Sequence, residues 1–389
     1  MSRAPRTDED MIPLPEPDRV EGAPHPRQTV SLFGQTEAEA GFLAAHTSGR
    51  LHHAWLLTGT EGLGKATLAW RIARFLLAQR LDDGGLFGAP PPPASLDVDV
   101  DDPVHRRITA LAEPRLYLLR RGPNQKGDAI MTVISVDEVR LMKKFFTLSA
   151  TDGGRRVAII DAADELNPAA ANALLKVLEE PPKDAVFLIV AHQPARLLPT
   201  IRSRCRELRL APLAAPEIAL ALAGAGIETD DPAALSELAG GSVGAAIRLV
   251  NHRGLAIYRR IVELIDTLPR LDRRLVQDLA EAAGKKGAEA TFALTVNLID
   301  LFLARLARRG VTGASPPEAA PGEAALFARL APDAAAARIW AELAQTLGAR
   351  ARQGRAVNLD PSALLVDMVL KLESTAGKLA PEVSRNDQR

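Results

Sequence analysis

Between Leu56 and Thr67 an apolar strand runs into a glycine-rich loop and then a helix: Leu56-Leu57-Thr58-Gly59-Thr60-Glu61-Gly62-Leu63-Gly64-Lys65-Ala66-Thr67. The spacing fits the phosphate-binding pattern G-x-x-x-x-G-K-[ST] at every fixed position except the last, where Ala66 replaces a hydroxyl residue. Glycines at Gly59, Gly62 and Gly64 let successive backbone N–H groups turn inward as an anion nest, the helix N-terminus adds partial positive charge, and Lys65 reaches the outer phosphates. The hydroxyl that normally ligates magnesium is missing, and Thr67, one residue further on, points about 100° away around the helix. The loop therefore leaves nucleotide binding open while weakening any hold on a metal.

A phosphate loop that hydrolyses ATP works with an acidic strand end, where one carboxylate holds magnesium and an adjacent glutamate often polarises the attacking water. Val157-Ala158-Ile159-Ile160-Asp161 supplies the carboxylate, but Ala162 follows it, and Asp164 and Glu165 fall past the turn. The alternative reading of Asp161 is an aspartate capping that turn. The candidate nucleotide site is thus Gly59, Gly62, Gly64, Lys65, Thr67 and Asp161, a degenerate one.

The other reactive side chains are less telling. Arg202, Arg204, Arg206 and Arg209 read on spacing alone as a solvated face beside a strand. Cys205, the single cysteine, excludes a disulfide framework and a four-cysteine zinc site within the chain, and reads as a small buried hydrophobe. His192 follows an apolar strand and reads as a satisfied hydrogen-bonding residue, with phosphate or metal binding as the alternative. The seven histidines show no metal-ligand spacing, so no metal site is expected, and His52-His53 reads as local packing. Lys285-Lys286 reads as a solvated helix face, with a subunit or DNA contact as the alternative.

Strands alternate with helices around these residues. Strands are expected at Ala54 to Thr58, Leu116 to Leu119, Val157 to Asp161, Val186 to Ala191 and Glu207 to Leu210. Helices are expected at Glu37 to Ser48, Leu68 to Ala78, Val136 to Thr147 and Asn167 to Leu178, the last closed by Pro181-Pro182. This pattern predicts a largely parallel sheet covered on both faces. Leu81 to Pro114, with four consecutive prolines and the run Asp97 to Asp102, reads as a surface insertion. After Pro212 the strand signal ends. Three short helices (Pro216 to Ala223, Pro232 to Ala239, Val243 to Val250) precede longer amphipathic ones: Leu255 to Thr267, Arg273 to Ala283, Ala288 to Arg308, Ala334 to Arg352 and Pro361 to Glu373. A break at Gly310 to Gly322 reads as a loop.

At 389 residues the chain is long enough for two or three domains. Lys plus Arg and Asp plus Glu both total 48, so no global field attracts nucleic acid, and any such contact must come from a local patch. No apolar run of about 18 residues is evident for a membrane span, and the polar, proline-rich start lacks an apolar signal core. The chain reads as soluble and cytoplasmic.

The stretch Val157 to Asn167, then Ala171-Asn172-Ala173-Leu174-Leu175-Lys176-Val177-Leu178-Glu179-Glu180-Pro181-Pro182, resembles the clamp-loader branch of the AAA+ ATPases. Thr200-Ile201-Arg202-Ser203-Arg204-Cys205 looks like that branch's Ser-Arg-Cys motif. Motor subunits of the branch (gamma and tau) have a full phosphate loop, an Asp-Glu pair, a polar sensor and a lid arginine; this chain has Ala66, Ala162, Val190-Ala191-His192 and Gly241-Ser242-Val243-Gly244. The likeness is strong from Thr29 to Leu210 and weak through the later helices, where Asn358-Leu359-Asp360-Pro361 is the most familiar stretch. The family's four zinc cysteines are absent, so no zinc module is expected.

The resemblance implies an α/β AAA+ domain, a parallel sheet flanked by helices, followed by a small helical lid and an all-α collar. The expected boundaries are a disordered tail at 1–28, the AAA+ domain at 29–211, the lid at 212–254, an oligomerisation collar at 255–376 and a tail at 377–389. It also implies a role for Arg204, the finger that reaches into a neighbouring subunit's ATP site. Such an arginine is worth about 10³–10⁵ in rate. The chain would then be a non-motor stator with little or no ATPase activity, a component of a DNA polymerase III holoenzyme whose polymerase site lies elsewhere. Its partners would be motor subunits (gamma/tau), a clamp-opening subunit (delta), and the sliding clamp and primed DNA through the complex. A working motor of the same family, with Thr67 or water replacing the lost ligand, is the alternative; an AAA+-derived scaffold unconnected to replication is another.

Overall fold

The computed structural model describes residues 16–79, 92–124, 126–147 and 154–379. Expectations for residues 1–15, for the 81–91 part of the insertion and for the tail from 380 lie outside the described residues. Five parallel strands, β1 (Ala54–Thr58), β2 (Leu116–Arg120), β3 (Arg156–Asp161), β4 (Ala185–Ala191) and β5 (Arg206–Arg209), lie in the order β2-β3-β4-β1-β5. Every residue of β1 and β4 is buried, as expected where a parallel sheet is covered on both faces. The order places one strand, β4, between the strand that feeds the phosphate loop and the strand that ends in Asp161.

Helices α1 (Thr36–Thr47), α2 (Lys65–Ala78), α3 (Pro103–Thr109), α4 (Val136–Thr147), α5 (Pro168–Glu179) and α6 (Pro199–Arg202) surround the sheet. Val139 and Met142 of α4 and Leu174 and Leu178 of α5 share one core with Leu56, Leu119, Ile160, Phe187 and Ile189. Local sequence explains α5 well. The Asn167 side chain accepts from Ala170 N, Pro168 occupies the first turn where its missing N–H costs nothing, and Pro181-Pro182 follow the end. Helix α3 falls inside the stretch expected to be irregular; Asp102 caps it and it buries Val104, His105 and Ile108.

Residues 16–28 depart from the expectation of a disordered tail. They form a succession of turns in which Ala23 and His25 are buried, and their carboxylates pair with arginines of the sheet. Composition misjudged this segment because its hold is polar and comes from residues about a hundred positions away.

The chain divides into two compact units, one of residues up to 213 with 223–225 and 242–244, the other of 214–222, 226–241 and 245 onward. The helices expected as a separate lid therefore fall in the second unit apart from those two short stretches. That unit is helical throughout its named elements: α7 (Ala215–Gly224), α8 (Pro232–Ala239), α9 (Val243–Asn251), α10 (Gly254–Asp266), α11 (Arg273–Gly284), α12 (Glu289–Thr312), α13 (Glu323–Leu330), α14 (Ala334–Ala356) and α15 (Pro361–Leu379). Helix α12 packs along α14, and α11 along α15. By length and composition alone α12 could cross a membrane, which corrects the reading that no such run exists. Half of its most apolar window is buried, and the helix carries a buried ion pair, Arg305 with Glu323, so it serves as the core helix of this unit.

Candidate functional site

The phosphate loop joins β1 to α2, and its backbone has the form the glycines predict. Gly62 and Gly64 sit at φ 81° and 91°, in the left-handed region where a Cβ is strained, and Gly64 caps α2. Lys65 is 2% exposed, and its Nζ donates to Gly59 O at 2.7 Å and Thr60 O at 2.5 Å, inside its own loop. Burial pulls the Lys65 ammonium down to about 8, against the opposing pull of Asp161, Asp164 and Glu61. Thr67 lies half-buried in the first turn of α2.

A second layer closes over the loop from far along the chain. Ser242 Oγ donates to Glu61 O at 2.8 Å, and Gly244 N donates to Gly62 O at 3.0 Å. The two glycines meet so closely that a Cβ on Gly62 would fall 2.9 Å from Gly244 N. Gly244 belongs to the stretch Gly241 to Gly244 where the resemblance would place a lid arginine, and its lack of a side chain is what permits this contact.

Asp161 ends β3 beside Arg120 of β2, its register partner. Burial pushes its carboxyl up to about 7, with the negative charges of Asp18, Glu165 and Asp164 adding to the shift and Lys65 opposing it. Ala162, where the resemblance would place a water-polarising glutamate, is buried. Neither later acid takes that place. Asp164 accepts from His192 N at 2.9 Å, and Glu165 pairs with Arg121 at 2.9 Å. Among the described residues no cluster of three His, Cys, Asp or Glu could hold a metal ion.

Arg204 stands apart from this group. It precedes β5, whose Arg206 is level with Trp55 and whose Arg209 is level with Thr58. Arg204 is therefore at the end of the sheet where β1 begins, and the phosphate loop is at the end where β1 finishes. About 13 Å of strand separates the two levels. Its side chain, 36% exposed, makes an ion pair with Glu179 at 2.9 Å and donates to Thr200 O at 3.0 Å. Glu179 closes α5 within the resemblance motif, but no spacing rule marked it as a partner. Cys205 packs against the core with its thiol pushed up to about 12 by burial, as a small hydrophobe would be. His52 stacks on His53, whose Nε2 meets Leu178 O at 3.2 Å, so this pair is local packing.

These features define the class: a parallel α/β domain with a glycine-rich phosphate-loop backbone, in which Ala66 follows the loop lysine and Ala162 follows the strand-end aspartate. Residues 34–214 match the family described as DNA polymerase III, delta subunit. The chain is 32% identical over 219 residues to the DNA polymerase III subunit delta' of Pseudomonas aeruginosa, covering 56% of this chain and 61% of that one. It is 35% identical over 176 residues to the same subunit of Escherichia coli K12, covering 44% and 46%. Similarity to a gamma/tau subunit of Mycobacterium tuberculosis is lower, 29% over 188 residues, covering 46% and 28%. The chain thus spans about half the length of the relatives it matches. Among solved structures, a gamma subunit-related protein of Thermotoga maritima aligns over 86% of this chain and 99% of its own with TM-score 0.37 and 16% identity; the fold assignment rests on the sheet itself. Over residues 34–214 the chain thus matches the DNA polymerase III delta-subunit family, and its relatives include subunits named delta'.

Proposed function

We propose that this chain is the non-motor stator of a bacterial clamp loader, offering Arg204 to the ATP site of a neighbouring gamma/tau subunit. The chain would hold the clamp-opening delta subunit while ATP in the motors drives loading of the sliding clamp onto primed DNA during replication in the cytoplasm. The observation that carries this reading is the position of Arg204. It lies at the opposite end of the sheet from the chain's own phosphate loop, which supports a role toward a phosphate outside this chain and not toward that loop. A guanidinium suits such a role because it stays charged and can bond two phosphate oxygens. The chain's own loop supports the same conclusion: with Ala66 and Ala162 in place and Lys65 engaged by loop carbonyls, it should hydrolyse little or no ATP.

The test is DNA-stimulated ATPase activity of the loader reconstituted from motor and delta subunits with wild-type chain, Arg204→Ala or Lys65→Ala. A finger predicts that Arg204→Ala lowers turnover at the site it serves by about 10³–10⁵ while assembly survives, with Lys65→Ala close to wild type. If Lys65→Ala removes activity and Arg204→Ala does not, the chain is a motor and the stator reading fails.

A further inference from the structure

The described residues nearest the degenerate nucleotide site include the segment of residues 16–32, of which 16–28 read from sequence as part of a disordered tail. It crosses the ends of β2 and β3 and reaches the phosphate loop. Arg120 donates to both Asp18 and Glu16, and Arg121 donates to Pro17 O at 3.4 Å. His25 Nε2 lies 3.1 Å from Asp18, whose side chain is 2% exposed, and the His25 ring meets Trp70 of α2 edge-on at 6.0 Å. Further along, Val20 lies against Gly244, the residue bonded to Gly62. Leu32 lies so near Gly64 that a Cβ there would fall 2.7 Å from its methyl. Thr29 O and Val30 O accept from Arg74 and Arg71 of α2.

The charge pattern follows from this course. Arg120, directly level with Asp161, is occupied by carboxylates of the segment, and Arg121 is occupied by Glu165. Asp18 is brought near enough to Asp161 to raise its proton affinity. A triphosphate approaching Lys65 would meet Asp18, Asp161, Asp164, Glu165 and Glu61 together, with both nearby arginines already paired.

We propose that residues 16–28 are a built-in strap across the degenerate nucleotide site, held by Asp18–Arg120 and seated on Gly244, and that the site takes this strap in place of a nucleoside triphosphate. The strap concerns the chain's own loop and not the neighbour's, so it stands or falls independently of Arg204. A site open for only a fraction of the time binds with its affinity reduced by that fraction.

The experiment uses the full chain and magnesium with N-methylanthraniloyl-ATP, read by fluorescence anisotropy, alongside hydrogen exchange of residues 16–28. Wild type is compared with Asp18→Ala/Arg120→Ala, which removes the clasp without stranding one charge, and with Val20→Asp, which unseats the strap and leaves every arginine in place. Opening the strap is expected to speed exchange at 16–28 and to tighten nucleotide binding by about tenfold or more, a gain that adding Lys65→Ala removes. Saturable, Lys65-dependent binding by wild type while 16–28 stays protected would overturn the proposal. So would faster exchange at 16–28 with no gain in binding, or unchanged protection in both variants.

Discussion

Lys65 Nζ donates to the carbonyl oxygen of Gly59 at 2.7 Å, so the loop's cation is bound to the first residue of its own loop. Facing it in charge is Asp161, whose carboxyl burial pushes up to about 7. The folded chain holds that proton more tightly than the unfolded chain does. Stability from Asp161 is therefore fully present below pH 3.8 and lost as pH rises through about 7. Lys65 acts in the opposite sense: its ammonium is depressed to about 8 from 10.5, so stability from it falls away as pH drops through about 8. Asp161→Asn should raise stability at pH 8 by about 1–2 kcal/mol and flatten the pH 4–7 slope in urea titrations. An unchanged slope would mean that Asp161 is solvated.

Gly62→Ala should loosen the second layer over the loop. The new methyl meets both the strained φ of 81° and the backbone of Gly244. About 1–3 kcal/mol is expected from the conformation alone. The measurable sign is faster hydrogen exchange at Gly244, whose amide is bonded to Gly62 O. Ser242→Ala, which deletes the bond to Glu61 O, should cost about 1 kcal/mol or more.

Much of this was legible beforehand, and the exceptions share a cause. All five strands were found because β1, β3 and β4 are continuous apolar runs bounded by glycine, proline or charge. The phosphate loop and Asp161 were placed by motif spacing that depends only on neighbours in sequence. By contrast, the Asp18–Arg120 pair joins residues 102 apart, and Gly62 meets Gly244 across a greater separation, contacts that no local pattern encodes. Helix α3 did leave a signal, Asp102 before Pro103, the arrangement of a capped helix start, but it was masked by the acidic run around it. Helix α13 was passed over because its eight residues follow a proline-rich break and are too short for a clear helical period.

Arg204→Ala and Glu179→Ala should each leave the fold almost untouched. Their ion pair is exposed on both sides, 36% and 42%, where such pairs contribute about 0–1 kcal/mol. Chemical unfolding of the isolated chain should therefore place both variants within about 0.5 kcal/mol of wild type. This matters for the ATPase comparison, because any large loss of turnover with Arg204→Ala could then not be attributed to unfolding. A drop of several kcal/mol would instead make Arg204 a structural residue.

Arg305 presents the opposite case. It is 2% exposed, donates from Nε to Glu323 Oε1 at 2.9 Å and from Nη2 to Pro317 O at 2.6 Å, while Glu323 also accepts from Ala319 N at 2.7 Å and from the Tyr258 hydroxyl. One buried pair thus ties α12, α13 and the segment between them together. Arg305→Ala leaves Glu323 as a buried charge without its cation, and should cost about 3–5 kcal/mol, with faster hydrogen exchange at Ala319. Replacing both partners, as in Arg305→Met with Glu323→Met, removes the stranded charge and should recover most of that loss, because well-packed apolar pairs often match a buried ion pair. Full recovery with Ala319 still protected would show that apolar packing alone shapes the segment. Recovery of stability with Ala319 exchanging fast would show that the ion pair's part is to fix the path of residues 313–322.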